Sequence, residues 1–207
     1  MLTTFLLSFS AIFFIVDPIG VVPLYLSMTA KDSPEKCISM ARRACLTATG
    51  VMVFFALFGT LVFQVFSVTL SAFRVAGGLL LMITALDMLR AQHVATRTSP
   101  AEEQEGEARD DIAIVPLALP LLAGPGAIAT GMVMMAQHGG TSSGAVAVVA
   151  AIVLTMLIAY VLLRFAPQVK RFLGQTGIAI LERVFGLILA AIAVQFVFDG
   201  ARELLKS

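Results

Sequence analysis

Residues 112–163 read IAIVPLALPLLAGPGAIATGMVMMAQHGGTSSGAVAVVAAIVLTMLIAYVLL, and these 52 residues contain no charged side chain. A helix needs roughly 20 apolar residues to cross the hydrocarbon of a bilayer, so this segment is long enough for two crossings. Glycine and hydroxyl residues cluster at His138-Gly-Gly-Thr-Ser-Ser-Gly144, which favours a turn. The segment therefore predicts two transmembrane helices joined by a short turn.

The rest of the chain has the same character. Of its 207 residues, 59% are hydrophobic and 13% are charged, whereas soluble domains are about 45–50% apolar and about 25% charged. The formal net charge of +1 offers no electrostatic footprint for nucleic acid. Two cysteines are too few for a disulfide framework and form no zinc pattern. We expect an integral membrane protein without a metal or another cofactor.

Six spans follow from the apolar segments. The polar segment 92–111, which is rich in glutamate, separates two halves, residues 1–91 and 112–207, that form one membrane domain. The predicted fold is all-α, with transmembrane helices near residues 4–28, 44–66, 70–90, 112–136, 144–163 and 177–199. Because three spans are an odd number, the two halves enter the membrane in opposite directions.

The two halves also correspond in sequence. Arg74-Val-Ala-Gly77 aligns with Arg183-Val-Phe-Gly186, and Pro18 aligns with Pro125. Each proline lies near the middle of the first span of its half, and each arginine lies near the start of the third. This arrangement is typical of transporters built from inverted repeats, whose binding site lies near the bilayer midplane in interrupted helices.

The basic residues predict the orientation. Ten of the 14 Lys and Arg residues lie in the loops after the first, third and fifth spans, and two follow the last span. The positive-inside rule therefore predicts that the linker is cytoplasmic and that both termini are outside, in the periplasm if the source is bacterial. The first span has no basic residue before it and no Ala-x-Ala cleavage site, so we expect a retained helix.

The strongest local feature is Asp17-Pro18-Ile19-Gly20 in the first span. Proline breaks the helix, and Asp before Pro is typical of an N-cap with proline at the first helical position. An ionisable group at this depth costs about 2.5–3.5 kcal/mol on insertion scales. Asp17 is therefore interpreted either as the cap of a second half-helix alone or, in addition, as a contact for a substrate amine or a coupling cation.

Gly124-Pro125-Gly126 breaks the fourth span in a similar way. The N-terminus of a half-helix at this point presents free N–H groups and a positive dipole to an anion such as a carboxylate. The alternative is a kinked helix with close packing of small residues. Arg74 and Arg183 are candidates either for bidentate binding of a carboxylate or for a gating or structural ion pair, of which the ion pair is favoured. Snorkelling to the interface is the alternative. No His, Asp and Ser residues have the spacing of a nucleophilic catalytic site, and no metalloprotease motif is present. The sequence therefore disfavours an enzyme.

These motifs resemble the MarC family (UPF0056) of six-span membrane proteins. The matching segments are Asp17-Pro-Ile-Gly20 with Pro23, Phe73-Arg-Val-Ala-Gly-Gly-Leu79, Ile114-Val-Pro-Leu-Ala-Leu-Pro120 with Ala123-Gly-Pro-Gly126, and Glu182-Arg-Val-Phe-Gly186 with Val194-Gln-Phe196 and Gly200. The resemblance implies transport of small neutral amino acids such as alanine or glycine across the inner membrane, coupled to H⁺ or Na⁺ if the direction is uptake.

Two alternatives to amino-acid transport stay open: export of another small metabolite, and a membrane factor that acts through helix packing without transport. The lipid bilayer and a small-molecule substrate are the expected partners. The sequence leaves the direction of transport, the coupling ion and the oligomeric state open.

Overall fold

The computed structural model describes residues 1–65, 67–90 and 111–205. Within these ranges the chain forms eight helices and no strand. They are α1 Leu2–Val16, α2 Val21–Met28, α3 Pro34–Val65, α4 Leu70–Leu89, α5 Ala113–Leu122, α6 Pro125–His138, α7 Ser142–Arg164 and α8 Ala166–Leu204. The predicted linker lies outside the described residues except for Asp111.

Four of these helices, α3, α4, α7 and α8, are long and apolar enough to cross a membrane. The other four form two bent pairs, α1 with α2 at 43° and α5 with α6 at 57°, and six spans result if each pair is one span. The prediction of an all-α polytopic membrane protein with a broken first and fourth span is therefore confirmed. The bundle has two ends: the terminal face, where α1 begins and α8 ends, and the linker face, where α4 ends and α5 begins.

Two helices extend beyond their predicted spans. Helix α3 begins at Pro34, ten residues before position 44, because the Ser33 hydroxyl caps it by accepting a hydrogen bond from the Lys36 N–H at 3.3 Å. Helix α8 begins at Ala166 and is interrupted at Gly174, whose φ of 65° and ψ of 175° suit glycine. Hydropathy detects only the part of a helix that lies in hydrocarbon, so both predicted starts were too late.

Helix α5 is wider than an α-helix. Its hydrogen bonds join residues five apart, from the Leu117 N–H to the Ile112 carbonyl at 3.1 Å and from the Ala123 N–H to the Ala118 carbonyl at 2.9 Å. Val115 and Leu119 have extended backbones, as residues before proline prefer. The prolines at positions 116 and 120 thus prevent an ordinary α-helix in the first part of the fourth span.

The neighbours of each helix repeat between the two halves. Helix α1 packs on α7, and its counterpart α5 packs on α3, while α2 contacts α8 and its counterpart α6 contacts α4. Helices α3 and α7 are counterparts and pack on each other, and so do the counterparts α4 and α8. This is the contact pattern that an inverted two-fold repeat produces.

Large apolar side chains cover the outside of the bundle. Leu57, Phe58, Ile83, Leu157 and Leu187 are all more than 40% exposed. A water-soluble protein rarely leaves so many large apolar residues in solvent. The exposed surface therefore suits contact with lipid chains.

Candidate functional site

Asp17 lies in the break between α1 and α2, and its side chain is buried. It ends α1 in a left-handed conformation with a φ of 47°, which Asp tolerates better than most residues. Its Oδ1 accepts a hydrogen bond from the Gly20 N–H at 3.2 Å. Regular helix α2 begins at Val21 with Gly20 at its N-cap, which is later than the prediction of Pro18 as the first helical residue. Asp17 nevertheless makes the bonds of the predicted cap, because its carbonyl oxygen also accepts a hydrogen bond from the Val21 N–H at 3.3 Å. Asp17 thus ends α1 and caps the turn that leads into α2.

A second carboxyl group faces the same turn. Glu182 of α8 is only 5% exposed. A Cβ atom at Gly20 would stand 2.9 Å from Asp17 Cγ and 3.1 Å from Glu182 Oε1. The space in front of Gly20 is therefore bordered by two buried carboxyl groups from different halves of the chain.

Sequence reasoning did not select Glu182, although a signal was present. The buried residues of α8 after its break follow one another at intervals of three or four: Ile178, Glu182, Gly186, Leu189, Ala193, Phe196 and Gly200. Such spacing defines one face of a helix. Glu182 lies on that face, whereas Arg183 is one position further round the helix and is exposed. The structure thus brings Glu182, rather than Arg183, to the first break, and the gating role of Arg183 stays a prediction.

The second break has the geometry of a half-helix N-terminus. Gly124 is the N-cap of α6 in an extended conformation, with φ −70° and ψ 166°, and Pro125 is the first helical residue. The first bond within the helix runs from the Ile128 N–H to the Gly124 carbonyl at 3.0 Å. The N–H groups of Gly126 and Ala127 come earlier in the chain than this first bond, so they are first-turn donors that have no partner within the helix.

The first span contacts the second break. A Cβ atom at Gly126 would stand 3.1 Å from Ile15 Cδ1 and 3.6 Å from Leu81 Cδ2. Beside Gly126 lies a cavity of about 60 Å³, lined by residues that include Ile15, Thr84, Pro120 and Gly124. A cavity of this size holds a few water molecules. Ile15, two residues before Asp17, thus lies against Gly126 of the second break.

Arg74 lies near the terminal face, far along α4 from the linker end. Its Nη1 is 3.0 Å from Glu203 Oε2, and its side chain is 16% exposed. When the Gln137 side chain is oriented with its amide oxygen toward Arg74, that oxygen accepts hydrogen bonds from Arg74 Nε at 2.7 Å and from Nη2. Arg74 thus connects α4 to the ends of α6 and α8, as a gating or structural ion pair requires.

In the part of the chain that the structure describes, a larger cavity opens at each end of the bundle. The linker-face cavity, about 620 Å³, is lined by Tyr25, Thr29, Asp32, Arg164 and Gln168 among others. The terminal-face cavity, about 280 Å³, includes Arg74 in its wall. Among the described residues, no group of three or more His, Cys, Asp or Glu side chains converges as metal ligands would.

Comparison with known proteins places this architecture in a family. Residues 2–205 match the family model described as MarC family integral membrane protein. A UPF0056 membrane protein of Methanocaldococcus jannaschii is 40% identical over 198 residues, which cover 96% of each chain. The UPF0056 membrane protein YhcE of Escherichia coli is 33% identical over 94% of this chain and 90% of its own length.

A more distant relative matches over a similar share of both chains. The UPF0056 membrane protein YvbG of Bacillus subtilis is 31% identical over 94% of this chain and 92% of its own length. No solved structure matches. The match over nearly the whole chain confirms the resemblance that the motifs indicate, and the chain belongs to the MarC family of integral membrane proteins.

Proposed function

We propose that this protein is a secondary transporter of small neutral amino acids such as alanine and glycine. The observation that carries the proposal is the meeting of two broken spans, with the buried carboxyl of Asp17 at one break and the first-turn N–H groups of α6 at the other. Irregular backbone inside a membrane is tolerated where it is buried in protein or lines a water-filled cavity. Substrate sites of inverted-repeat transporters lie at such breaks.

The chemistry of the two breaks suits an amino acid. The N-terminus of α6 at Gly124-Pro125-Gly126 favours a carboxylate, because its N–H groups and its helix dipole both attract negative charge. Asp17, held by the Gly20 N–H, supplies the negative charge for the substrate ammonium or for a coupling cation.

Gly20 and Glu182 extend this part of the site. Because Gly20 has no side chain, both carboxyl groups approach it closely. Two carboxylates close together in a low dielectric repel each other unless a cation or a proton lies between them. This arrangement supports coupling to H⁺ or Na⁺ at the first break.

The small cavity supports a small substrate. About 60 Å³ is open beside Gly126 in this conformation, and the close approach of Ile15 and Leu81 leaves little room for a long side chain. The linker-face and terminal-face cavities lie on opposite sides of the breaks, as alternating access requires. In this proposal Arg74, and Arg183 if it moves inward, stabilise the closed states at their respective faces.

The test is flux in proteoliposomes. Purified protein should take up or release labelled alanine or glycine, and an imposed H⁺ or Na⁺ gradient should drive it. Asp17→Asn should abolish or uncouple the flux, while Glu35→Gln, an exposed substitution in the first turn of α3, should leave it unchanged. Absence of flux in either direction for a panel of amino acids and gradients would contradict the proposal.

Two other candidates are separated by water access and by the substrate screen. A packing factor should be dry at the breaks, whereas a transporter must admit water there. A cysteine placed at Ile19 or Ala127, after replacement of Cys37 and Cys45, should react with a soluble thiol reagent only in the transporter. An exporter of another metabolite would admit water at these positions but fail to move amino acids.

The orientation forms part of the proposal. The excess of basic residues at the linker face supports a cytoplasmic linker and external termini in an inner membrane. A cysteine at exposed Ser143, in the first turn of α7, should then react with an impermeant reagent added outside the cell. Reaction only after the membrane is opened would reverse the orientation.

A further inference from the structure

The terminal-face cavity lies between α1 and the ends of α4, α6 and α8, away from the breaks. Its wall carries one cation, Arg74, and one anion, Asp199, beside the amides of Gln137 and Gln195. We infer that this cavity is a second binding site for a zwitterionic α-amino acid, whose carboxylate contacts Arg74 and whose ammonium contacts Asp199. The inference rests on the proposed function and adds to it a surface site that the substrate occupies before it reaches the breaks.

Arg74 is positioned to bind a carboxylate. Its guanidinium presents N–H groups in a planar fork, which matches the two oxygens of a carboxylate. At present Glu203 accepts from Nη1 at 3.0 Å and the Gln137 oxygen accepts from Nε at 2.7 Å. The Glu203 side chain is 54% exposed, and ion pairs so open to solvent are weak. A substrate carboxylate can therefore replace Glu203 on the guanidinium.

Asp199, which also lines the cavity, is held by a neighbour on its own helix. The Gln195 amide donates to both of its carboxylate oxygens, at 3.1 and 3.2 Å, from one turn earlier on α8. Its neighbour Gly200 lies against α4, since a Cβ there would stand 2.7 Å from the Ser71 carbonyl oxygen and 3.0 Å from Arg74 Cβ. This close contact brings α8 against α4 next to Arg74, so the two opposite charges line one cavity.

Apolar side chains form much of the remaining wall. Leu7 and Ala11 of α1 and Ile192 and Phe196 of α8 line the cavity, together with Ser10 and His138. A short aliphatic side chain gains by leaving water for such a surface. A molecule with both charges and a small apolar group, such as alanine, matches all three parts of the cavity. Alaninamide, which lacks the carboxylate, and propionate, which lacks the ammonium, each match only one charged wall.

Binding can be measured without transport by protection of a thiol. Ser10 lines the cavity, so Ser10→Cys in a chain with Cys37 and Cys45 replaced should react with an impermeant maleimide. At ten times its half-protecting concentration, alanine should slow this reaction about tenfold by simple occupancy. Alaninamide and propionate at the same concentration should leave the rate unchanged. A cysteine at exposed Ser143, outside the cavity, is the control and should react at the same rate with and without alanine.

Variants then assign the charges. Asp199→Asn and Arg74→Gln should each raise the half-protecting alanine concentration about tenfold or more, because each removes one charge-assisted contact. Glu203→Gln should lower it, because the competing carboxylate is gone. Arg202→Gln, an exposed arginine in the same turn of α8, is the matched control and should have no effect. The Asp199 variant keeps the test valid if the Arg74 variant fails to fold.

The outcomes separate this inference from the proposed function. The inference is overturned if alanine does not protect Ser10→Cys, or if protection survives both Asp199→Asn and Arg74→Gln. Protection by alanine in a protein that carries no flux contradicts only the proposed transport. Flux without protection contradicts only the second site.

Discussion

Gly78 of α4 lies directly against the carbonyl oxygen of Ala193 in α8. A Cβ atom at position 78 would stand 2.9 Å from that oxygen and 2.8 Å from Val197 Cγ2. Gly186 makes the reciprocal contact from α8, since its Cβ would stand 3.0 Å from the Ala85 carbonyl oxygen of α4. The third spans of the two halves therefore pack backbone to backbone, as helices in membranes do where small residues face each other.

Gly78→Ala should destabilise the protein. The added methyl group meets the Ala193 carbonyl oxygen of the backbone as well as the Val197 side chain, so α4 and α8 must separate, at a cost of about 1–3 kcal/mol. The loss of stability is measured as the midpoint of thermal unfolding in detergent, which is monitored by the disappearance of the monodisperse elution peak. Gly50→Ala is the matched control, because its Cβ meets nothing within 4 Å and it should leave the midpoint nearly unchanged. Equal midpoints for the two variants would contradict the close packing of α4 on α8.

Gly20→Ala should impair both stability and transport. Its methyl group would overlap the Asp17 carboxyl and approach Glu182 Oε1 to 3.1 Å, so one of the carboxyl groups must move. We expect a loss of about 1–3 kcal/mol and strongly reduced alanine flux in proteoliposomes. Gly140→Ala, with nothing within 4 Å of its Cβ, is the control. Normal alanine flux with Gly20→Ala would mean that the first break is not part of the transport path.

Much of the fold could be predicted because hydrophobic length and proline position are local properties. The apolar segments predict all six spans, and Pro18 and Pro125 locate the two breaks. The starts of α3 and α8 could not be predicted from hydropathy, since Ser33 acts through a hydrogen bond of its hydroxyl group and Gly174 through its positive φ. The cap by Asp17 could be predicted because Asp precedes a proline, whereas the left-handed conformation in which Asp17 also ends α1 could not.

The site was harder to predict because it depends on which face of a helix is buried. Glu182 and Arg183 are adjacent charges, and charge counting alone cannot decide between them. The spacing of Gly186, Leu189 and Ala193 shows that Glu182 shares their buried face. The contact of Ile15 with Gly126 joins residues distant in the chain, and no local pattern contains it.

The ion pair between Arg43 and Asp111 should make a small contribution that depends on pH. Arg43 Nη1 is 2.6 Å from Asp111 Oδ2, and the other oxygen of Asp111 accepts from the Ala113 N–H at 3.0 Å. That N–H first, and Arg43 second, lower the pKa of the Asp111 carboxyl below its usual 3.8. The contribution is therefore complete above pH 3.8 and is lost as the pH falls through the lowered pKa.

Arg43→Ala should accordingly lower the unfolding midpoint at pH 7 by an amount equivalent to less than about 1 kcal/mol, since both side chains are 47% exposed. The difference from the unmodified protein should shrink when the midpoints are measured well below pH 3.8. Arg42→Ala, the exposed neighbour on α3, is the control. A difference that persists unchanged in acid would mean that Arg43 stabilises by packing rather than by this pair.

Gly126→Ala tests whether the meeting of the two breaks carries the substrate. Its methyl group would stand 3.1 Å from Ile15 Cδ1, a contact that a small shift of the Ile15 side chain relieves, so we expect an unfolding midpoint close to that of the unmodified protein. The same methyl group fills space in front of the first-turn N–H groups of α6, and alanine flux should fall about tenfold if a charge-assisted contact to the carboxylate weakens. Gly131→Ala on the same helix is the matched control, because its nearest neighbour would be 3.9 Å away and flux should be unchanged. If both variants transport alanine equally well, the carboxylate is not held at the N-terminus of α6, and the site lies elsewhere along the path between the two faces.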